Sequence, residues 1–423
     1  MSLPLFVQNA WSPSSGESVN LLVQDGIVQA VGPNVNPPAG PSNILQAKGM
    51  ALVPPFVNGH THAAMTLFRG YGDDMPLMEW LQTRIWPAEA RLSEEDVYWG
   101  TRLACLEMIR SGTACFADMY WHYHAVARAV EDAGIRAFVG SILIDVAGEE
   151  QARQFQYLAE KNLEENSRYS TRVQFSLSPH AIYTVSGPSL SWLADFSQKH
   201  QVLTHIHLSE TRHEVEECLR QHGMRPAFYL DQKGLLSPLT LLAHGVHLNE
   251  DELDLIASRG ATLVTNPVSN MKLAVGGVFP YARAHHRRIP MAMGTDGAAS
   301  NNGLDLLQDV KILALLQKHA DGDPTVLPAS QAFEILTGSR APLLGLSGQI
   351  AAGEKADFLL MRRHDVEITP EHCFTSNLIY AMTGHQVDTM VVDGHILMTD
   401  RQIPDQDEIR HEVSHRAERV CKE

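Results

Sequence analysis

Two histidines, His60 and His62, stand two residues apart just after an apolar segment, residues 51–57. An apolar run of this length predicts a buried β-strand. Side chains two positions apart in a strand point to the same side, so the two imidazoles could bind one metal ion. The pair alone is weak evidence, because the chain contains 21 histidines and repeats the His-x-His pattern twice. The elements that position the pair therefore decide its meaning.

The middle of the chain alternates between strand-like and helix-like segments. The strand-like runs are residues 51–57, 113–118, 137–144, 173–178, 202–207, 240–243, 261–265 and 290–294. Helical patterns lie between them, for example at residues 94–111 and 190–200. Eight such units predict an α/β fold, a (β/α)8 TIM barrel, which usually has about 250 residues. A doubly wound sheet is the alternative, but no Gly-x-Gly-x-x-Gly follows any of these strands.

Polar residues end all eight predicted strands. A TIM barrel gathers the C-terminal ends of its strands on one face, where active sites lie. In strand order, the residues at these ends are His60 with His62, Asp118, Asp145, His180, His207, His244, Asn266 and Asp296. Such a series is hard to explain by packing. We therefore predict an active site on this face.

A set of ligands for a catalytic zinc ion is present among these residues. Catalytic zinc keeps three or more nitrogen or oxygen ligands and a position for water. His60, His62, His207 and Asp296 supply that set. A zinc ion held there would lower the pKa of a water molecule to roughly 7.

The proton chemistry is assigned to Glu210 and His244. Glu210 lies three residues beyond His207 and is predicted to accept and deliver the proton; an ordinary carboxylate at a helix start is the alternative. His244 and Asp296 are predicted to orient the attacking oxygen. His205 is interpreted as structural, pointing away from His207.

Both ends of the chain are predicted to form β-structure. Asp25-Gly26 and Asp393-Gly394 are hairpin-turn sequences between strand-like segments. Two β-rich ends around a different middle predict a small β-sandwich domain built from both termini. The predicted segments are 1–54 for its first part, 55–350 for the barrel, and 351–423 for its second part with a terminal helix.

Composition excludes several other classes of protein. The chain is 44% hydrophobic and 19% charged, which is typical of a globular protein with a sizeable core. A formal charge of -16 argues against a nucleic-acid-binding surface. The five cysteines lack CxxC spacing and indicate reduced thiols in a cytoplasmic protein. Neither a signal peptide nor a membrane span is predicted, since no basic segment precedes the first apolar run and no long apolar run occurs.

Four motifs together resemble the amidohydrolase superfamily. They are VNGHTH at residues 57–62, THIHLSE at 204–210, AHGVHL at 243–248 and GTDGAASNN at 294–302. The resemblance extends over almost the whole chain and is to the deaminase branch that binds one zinc ion. Members with two metals usually carry a carboxylated lysine at the end of strand four, where this chain has His180. The resemblance to the one-zinc deaminase branch implies one Zn²⁺ per subunit and a homo-oligomer.

Within that branch the chain most resembles the 5-methylthioadenosine/S-adenosylhomocysteine deaminases. The resemblance implies that Glu89, in Trp86-Pro-Ala-Glu89, binds the ribose hydroxyls, for which a carboxylate is a natural bidentate acceptor. It also implies that His180 contacts the purine ring. Met119 and Trp86 are expected to line the pocket for an apolar methylthio group.

The resemblance is incomplete at the amino-acid end of the substrate. Members that accept S-adenosylhomocysteine offer two arginines to its tail. Arg153 matches one of them and is included among the predicted substrate-binding residues, but Ser141 stands at the second position. We therefore predict a preference for methylthioadenosine over S-adenosylhomocysteine.

The predicted function is zinc-dependent hydrolytic deamination of a 5′-modified adenosine to its inosine analogue and ammonia. The enzyme would hydrolyse a carbon–nitrogen bond of a cyclic amidine, and its partner would be this small nucleoside, with neither nucleic acid nor membrane involved. A guanine deaminase or triazine hydrolase of the same branch is the first alternative, from which Glu89 distinguishes the chain. A non-catalytic assembly protein on the same fold is the second, and the retained ligand set argues against it.

Overall fold

The structure, a computed structural model, describes residues 3–422. Met1, Ser2 and Glu423, at the ends of the predicted segments, lie outside the described residues. The described chain begins with five strands of a terminal β-sheet. The strands are β1 (Leu5–Trp11), β2 (Ser18–Gln24), β3 (Ile27–Gly32), β4 (Asn43–Gln46) and β5 (Met50–Val53). Strands β2 and β3 pair antiparallel through Asp25 and Gly26, which have φ of 50° and 75°. Two positive φ angles define the predicted type I′ hairpin.

Eight parallel strands form the barrel and follow one another around it in chain order. They are β6 (Phe56–Thr61), β7 (Thr113–Asp118), β8 (Arg136–Leu143), β9 (Val173–Pro179), β10 (Leu203–Leu208), β11 (Thr240–His244), β12 (Thr262–Thr265) and β13 (Met291–Met293). Every residue of β6, β7, β10, β11, β12 and β13 is buried, as expected for strands covered on both faces. The (β/α)8 prediction is confirmed.

The barrel closes at a seam between its first and last strands. The Asn58 amide donates to Thr295 Oγ1 over 2.8 Å, and the Thr295 N–H donates back to Asn58 Oδ1 over 3.1 Å. The Asp296 N–H donates to the His60 carbonyl oxygen over 3.0 Å. We name these contacts the seam. They bring residues from the two ends of the barrel sequence into direct contact.

The first predicted strand, residues 51–57, is in fact two strands of different sheets. Strand β5 ends at Val53 in the terminal sheet, and β6 begins at Phe56 in the barrel. Pro54 and Pro55 separate them, because proline has no N–H for a sheet ladder. The hydrophobic run predicted burial correctly but concealed this change of sheet.

The helices lie between the barrel strands and at the chain end. They are α1 (Leu77–Trp80), α2 (Trp86–Glu89), α3 (Glu94–Ser111), α4 (Tyr123–Ala133), α5 (Glu149–Glu165), α6 (Gly187–His200), α7 (Arg212–His222), α8 (Pro226–Gln232), α9 (Glu250–Arg259), α10 (Pro267–Lys272), α11 (Tyr281–His286), α12 (Ala298–Asn301), α13 (Leu306–Asp321), α14 (Ala329–Leu336), α15 (Phe374–Tyr380) and α16 (Gln406–Val420). Short 3₁₀ turns occur at Ala63–Phe68, Asn166–Arg168, Pro342–Leu344, Val366–Ile368 and Gly384–Gln386, and a π-helical turn, Leu81–Ile85, joins α1 to α2. Within residues 3–422, no helix has the length and apolar character to cross a bilayer.

Local sequence explains where the predicted helix at residues 94–111 begins and ends. Ser93 and Asp96 form a capping box at the start of α3, which satisfies two free N–H groups. Gly112 ends the helix with φ 93°, and a Cβ there would lie 2.7 Å from a Leu359 methyl and 2.9 Å from the Phe56 ring. Only glycine fits that position, which places α3 against β6.

Three strands from the C-terminal part complete the terminal sheet: β14 (Phe358–Arg362), β15 (Val387–Val392) and β16 (His395–Met398). Its order is β16-β15-β14-β5-β1-β2-β3, with β4 paired to β1, so both chain ends contribute as predicted. Its own core includes Leu5, Leu21, Phe358 and Leu360. A buried ion pair joins this sheet to the barrel: Arg136 at the start of β8 donates to Asp357 over 2.6 and 2.9 Å and to Asp393 over 3.0 Å.

Candidate active site

Four imidazoles and one carboxylate meet at the C-terminal ends of the barrel strands. His60 lies in β6, His62 directly follows it, and His207 lies in β10. His244 is the last residue of β11, and Asp296 follows β13. Two overlapping sets, His60 with His62 and His207, and His60 with His244 and Asp296, each have their nearest ligand atoms within 4.8 Å of one another.

The spacing of these atoms fits a metal ion. Asp296 Oδ1 lies 3.3 Å from His60 Nε2 and 3.2 Å from His62 Nε2. Two ligand atoms bound to one zinc ion at a tetrahedral angle lie about 3.4 Å apart. His60 Nε2 is fully buried and makes no hydrogen bond of acceptable geometry. Burial lowers the pKa of His60 to about 4, which keeps the imidazole in the neutral form that a metal requires.

Hydrogen bonds at the outer nitrogens orient two of the imidazoles. His62 Nδ1 donates to the Met119 carbonyl oxygen over 2.6 Å, and His207 Nδ1 donates to that of His180 over 2.7 Å. A carbonyl oxygen only accepts, so Nδ1 of each ring carries a proton. Burial lowers the pKa of His207 and leaves its Nε2 lone pair free to face the centre. Burial would lower the pKa of His62 too, but the hydrogen bond and charge of Asp296 outweigh it and raise that pKa to about 9, so a metal ion would have to displace the proton of His62 Nε2.

His205 is part of this arrangement, and its assignment as a residue facing away from His207 is wrong. Residues two apart in a strand share a side. His205 Nε2 lies 2.7 Å from His60 Nδ1, and the two rings meet edge to face at 4.7 Å. His205 thus supports His60 as the two carbonyl oxygens support His62 and His207.

Asp296 is held by hydroxyl donors on one side. Its Oδ2 accepts hydrogen bonds from Ser269 over 2.6 Å and from Ser300 over 3.0 Å, while Oδ1 faces the imidazoles. Burial would raise the pKa of Asp296, but its contacts with His60 and His62 outweigh this and hold the pKa well below the usual range. The backbone of Asp296 has φ 62°, a strained conformation of the kind that clusters at functional sites.

Glu210 and His244 face each other beside the four predicted metal ligands, His60, His62, His207 and Asp296, which we name the metal-ligand cluster. Glu210 Oε2 lies 3.9 Å from His244 Nε2. Burial raises the pKa of Glu210, and the nearby His244 opposes that rise. His244 Nδ1 lies 2.8 Å from Asn270 Oδ1, and the ring is carried on a backbone with φ 73°. A buried carboxylic group with a raised pKa can take up and release a proton near neutral pH.

The loop that carries Glu210 is fixed by a second buried carboxylate, Glu214. The N–H groups of Ser209 and Glu210 each donate to one Glu214 oxygen over 2.8 Å. Burial raises the pKa of Glu214 to about 7, even though these two donors oppose the rise. The position of Glu210 therefore depends on a residue in the first turn of α7.

A cavity of about 910 Å³ opens from this cluster. Four of the predicted substrate-binding residues, Trp86, Glu89, Met119 and His180, line it, together with Glu210. Burial raises the pKa of Glu89, while Tyr120 and Trp121 beside it oppose the rise. The site thus contains a second desolvated carboxylate apart from the metal-ligand cluster.

Two sequence-derived site residues lie elsewhere. Arg153 is exposed on α5, where it pairs with Glu149 and Glu150, and it does not line the cavity. Its i,i+3 and i,i+4 partners on the same helix explain this position. Asp145, at the end of the third strand, accepts hydrogen bonds from Ser186 and Ser189 and holds the start of α6.

Sequence reasoning missed Tyr120, Trp121 and Asn270 as site residues. Tyr120 and Trp121 line the cavity directly after β7, so the strand-end rule that selected Asp118 could have found them. Asn270 lies in α10 and contacts His244. No sequence signal pointed to Asn270, because its contact depends on the packing of a short helix.

A (β/α)8 barrel with this cluster at its C-terminal face defines the class of metal-dependent hydrolases. Comparisons with known proteins identify the branch within that class. The model of the amidohydrolase family matches residues 51–397. The chain belongs to the amidohydrolase family and is a hydrolase that acts on carbon–nitrogen bonds.

Three similar proteins illustrate the relationship. A 5′-deoxyadenosine deaminase of Methanoregula boonei is 44% identical over 382 residues, 90% of this chain and 86% of its own. A 5-methylthioadenosine/S-adenosylhomocysteine deaminase of Desulforamulus reducens is 39% identical over 421 residues, 96% and 95% of the two chains. The crystal structure of an adenosine deaminase from Xanthomonas campestris with bound zinc superimposes with a TM-score of 0.92, at 31% identity over 98% of each chain.

Proposed function

We propose that this protein is a zinc-dependent deaminase of adenosine derivatives modified at the 5′ position. The observation that carries the proposal is one cavity lined by both the Glu210–His244 pair and a separate, half-buried carboxylate, Glu89. The first can perform hydrolysis at a purine carbon, and the second can bind a ribose diol. The names of the relatives, a 5′-deoxyadenosine deaminase and a methylthioadenosine/S-adenosylhomocysteine deaminase, support the same substrate class.

His60, His62, His207 and Asp296 would hold one zinc ion per chain. When bound, the metal supplies activation of water for attack on C6 of the purine. The donor set supports this choice, because imidazole and carboxylate ligands suit zinc and the outer atoms of all four residues are hydrogen-bonded.

Glu210 and His244 would manage the proton and the attacking oxygen. Glu210 accepts the proton of the water and delivers it to the ring nitrogen next to C6. His244 Nε2 faces Glu210 and orients the oxygen by a hydrogen bond. Glu210 then carries the remaining proton of the added hydroxyl to the amino group, the C6–N bond breaks, and ammonia leaves as the C6 carbonyl of the inosine analogue forms. Burial keeps the pKa of Glu210 raised, which suits a group that must both accept and release a proton.

Glu89 and His180 would bind the nucleoside. Glu89 accepts hydrogen bonds from the 2′- and 3′-hydroxyls, which replace the water that its half-buried carboxylate loses on binding. His180 Nδ1 lies 2.9 Å from Thr184 Oγ1, so the His180 ring is fixed 4.8 Å from His207 and can contact the purine. Guanine deaminase and triazine hydrolase substrates have no ribose, so a carboxylate at position 89 of the cavity lining favours the nucleoside.

Ammonia release from a substrate panel tests this proposal. The zinc-loaded protein is given adenosine, 5′-deoxyadenosine, 5′-methylthioadenosine, S-adenosylhomocysteine, guanine and cytosine. We expect the 5′-modified adenosines to be deaminated and the two free bases to be inert. Glu89→Gln is the matched variant, which should lower kcat/KM for ribonucleosides about ten- to hundred-fold through loss of a charge-assisted hydrogen bond. Turnover of guanine, but of no nucleoside, would refute the proposal.

A further inference from the structure

We propose that the cavity has a second, apolar compartment beyond Glu89, and that it binds neutral apolar 5′-substituents larger than methylthio. We name it the tail compartment and define it as Trp121, Ile144, Phe155 and Leu158, all of which line the cavity. This inference rests on the proposed function, because it assumes that Glu89 binds the ribose.

A chain of contacts orders the cavity from the metal-ligand cluster outward. The His62 ring lies 6.5 Å from the Tyr120 ring. Tyr120 and the next residue, Trp121, both lie beside Glu89. The Trp121 ring in turn lies 6.5 Å from the Phe155 ring of α5, at an angle of 39°. Glu89 is therefore situated between the catalytic residues and the tail compartment.

The covalent structure of a nucleoside fits this order. The base on C1′ and the 5′ carbon on C4′ lie on the same face of the ribose but at opposite ends of it, and the two hydroxyls occupy the C2′–C3′ edge between them. If C6 of the base faces Glu210 and the hydroxyls face Glu89, the 5′ carbon points away from the metal-ligand cluster. It then enters the region lined by Phe155 and Leu158.

The charges around the cavity select against an acidic tail. Among residues 3–422, four carboxylates line the cavity, those of Glu89, Glu94, Glu210 and Asp296, but no lysine or arginine does. Arg153 is exposed and already paired with two glutamates. A carboxylate on the 5′-substituent would therefore lose water without gaining a lysine or arginine as its partner.

The tail compartment also leaves apolar surface uncovered. Leu158 is 36% exposed, and Val146 beside the compartment is 69% exposed although it too lines the cavity. The Ser141 hydroxyl does not make this surface polar, because it already accepts a hydrogen bond from Asn162 over 3.0 Å in a buried contact. An apolar substituent would cover this surface, and each methylene so buried is worth about fourfold in binding.

The experiment compares kcat/KM for four substrates of the zinc-loaded enzyme: 5′-deoxyadenosine, 5′-methylthioadenosine, and 5′-deoxyadenosines carrying n-butylthio or 3-carboxypropylthio groups. We expect kcat/KM for the butylthio compound to exceed that for methylthioadenosine by at least about tenfold, because three methylenes are added. We expect kcat/KM for the carboxypropylthio compound to be lower than that for methylthioadenosine. Phe155→Ala and, separately, Leu158→Ala should remove most of the butylthio gain, measured as the ratio of kcat/KM for the butylthio compound to kcat/KM for 5′-deoxyadenosine with the same variant.

Tyr157→Ala is the matched control, because Tyr157 is exposed on the same helix and does not line the cavity. It should leave all four values unchanged. Equal kcat/KM for the butylthio and methylthio compounds, or a faster carboxylate-bearing compound, would overturn the tail compartment while leaving the deaminase function intact. Failure to deaminate all four nucleosides would instead overturn the proposed function and this inference with it.

Discussion

At the scale of single residues, each candidate metal ligand is held at the atom that faces away from the metal-ligand cluster. Carbonyl oxygens hold His62 and His207, serines hold Asp296, and another imidazole holds His60. For His60 Nε2 to bind a metal, the proton must lie on Nδ1 and be donated to His205 Nε2. This makes His205 a positioning residue for metal binding, although it does not itself reach the centre.

Replacing His205 with phenylalanine tests that role. The ring size is kept, but the acceptor for His60 is lost, so zinc affinity should fall about 10- to 100-fold. Competition with a chromogenic chelator measures the affinity directly, without any substrate. His205→Gln offers an amide oxygen in place of Nε2 and should recover part of the loss. His415→Phe, an exposed site on α16, is the control and should bind zinc like the parent protein.

Glu210→Gln separates proton transfer from metal binding. Glutamine has the size of glutamate but cannot accept the proton, so kcat should fall by about 10²- to 10⁴-fold. Zinc content should stay at the parent level, because Glu210 is not proposed as a ligand. Steady-state ammonia release and metal analysis of the same preparation give both values. A variant that kept normal turnover, or that lost its zinc, would contradict the assignment.

At the scale of elements, the turn between β10 and α7 positions Glu210, the residue proposed to transfer the proton, and Glu214 fixes that turn. Two backbone N–H groups converge on its carboxylate, while Ser209 adopts φ 49°. A strained turn persists only where the surroundings hold it. The first turn of α7, through Glu214, therefore holds the backbone of Ser209 and Glu210 in the conformation that positions the Glu210 side chain.

The corresponding prediction is that Glu214→Gln lowers both stability and kcat. One of its two acceptor oxygens becomes an NH₂ group that faces a backbone N–H, so the free energy of unfolding should fall by about 1–3 kcal/mol. Urea unfolding measures this loss, and zinc content should not change. Glu216→Gln, at an exposed position of the same helix, should stay within about 0.5 kcal/mol of the parent. Equal effects of the two substitutions would rule out a special role for Glu214.

Sequence patterns predicted the elements better than their ends. Strand periodicity and strand-end chemistry identified the barrel and brought Glu210 and the predicted ligands to one face. The change of sheet at Pro54–Pro55 was missed, because a buried hydrophobic run looks alike in either sheet. The exposed position of Arg153 could not be foreseen, since it depends on which face of α5 packs against the barrel. The role of His205, by contrast, followed from the two-residue spacing already applied to His60 and His62.

At the scale of the whole molecule, a buried ion pair connects the terminal sheet to the barrel. Arg136 and Asp357 are almost inaccessible to solvent, and their contact is bidentate. Such a pair fixes geometry, because neither charge can be left alone in a buried position. The ion pair thus fixes one of the points at which the C-terminal part of the sheet meets the barrel.

Arg136→Ala should therefore destabilise the protein by about 3–5 kcal/mol, since Asp357 loses its buried partner. The double variant Arg136→Leu/Asp357→Leu should recover much of that loss, because it removes both buried charges. Urea unfolding of the two variants and the parent provides the comparison. Arg220→Ala, at an exposed ion pair, should change the free energy of unfolding by at most about 1 kcal/mol. If the double variant were as unstable as Arg136→Ala, the loss would have to arise from packing instead of charge.

The seam also has a consequence for the way a cell makes this protein. Asn58 and Thr295 are 237 positions apart, so a ribosome completes His60 and His62 long before it reaches Asp296. Until β13 is synthesised and docks, β6 has an unpaired edge and the ligand set lacks its carboxylate. The proposed zinc site is therefore complete only after the barrel closes. A nascent chain interrupted before β13 would present three imidazoles, those of His60, His62 and His207, without the carboxylate, and an open strand edge that chaperones must cover.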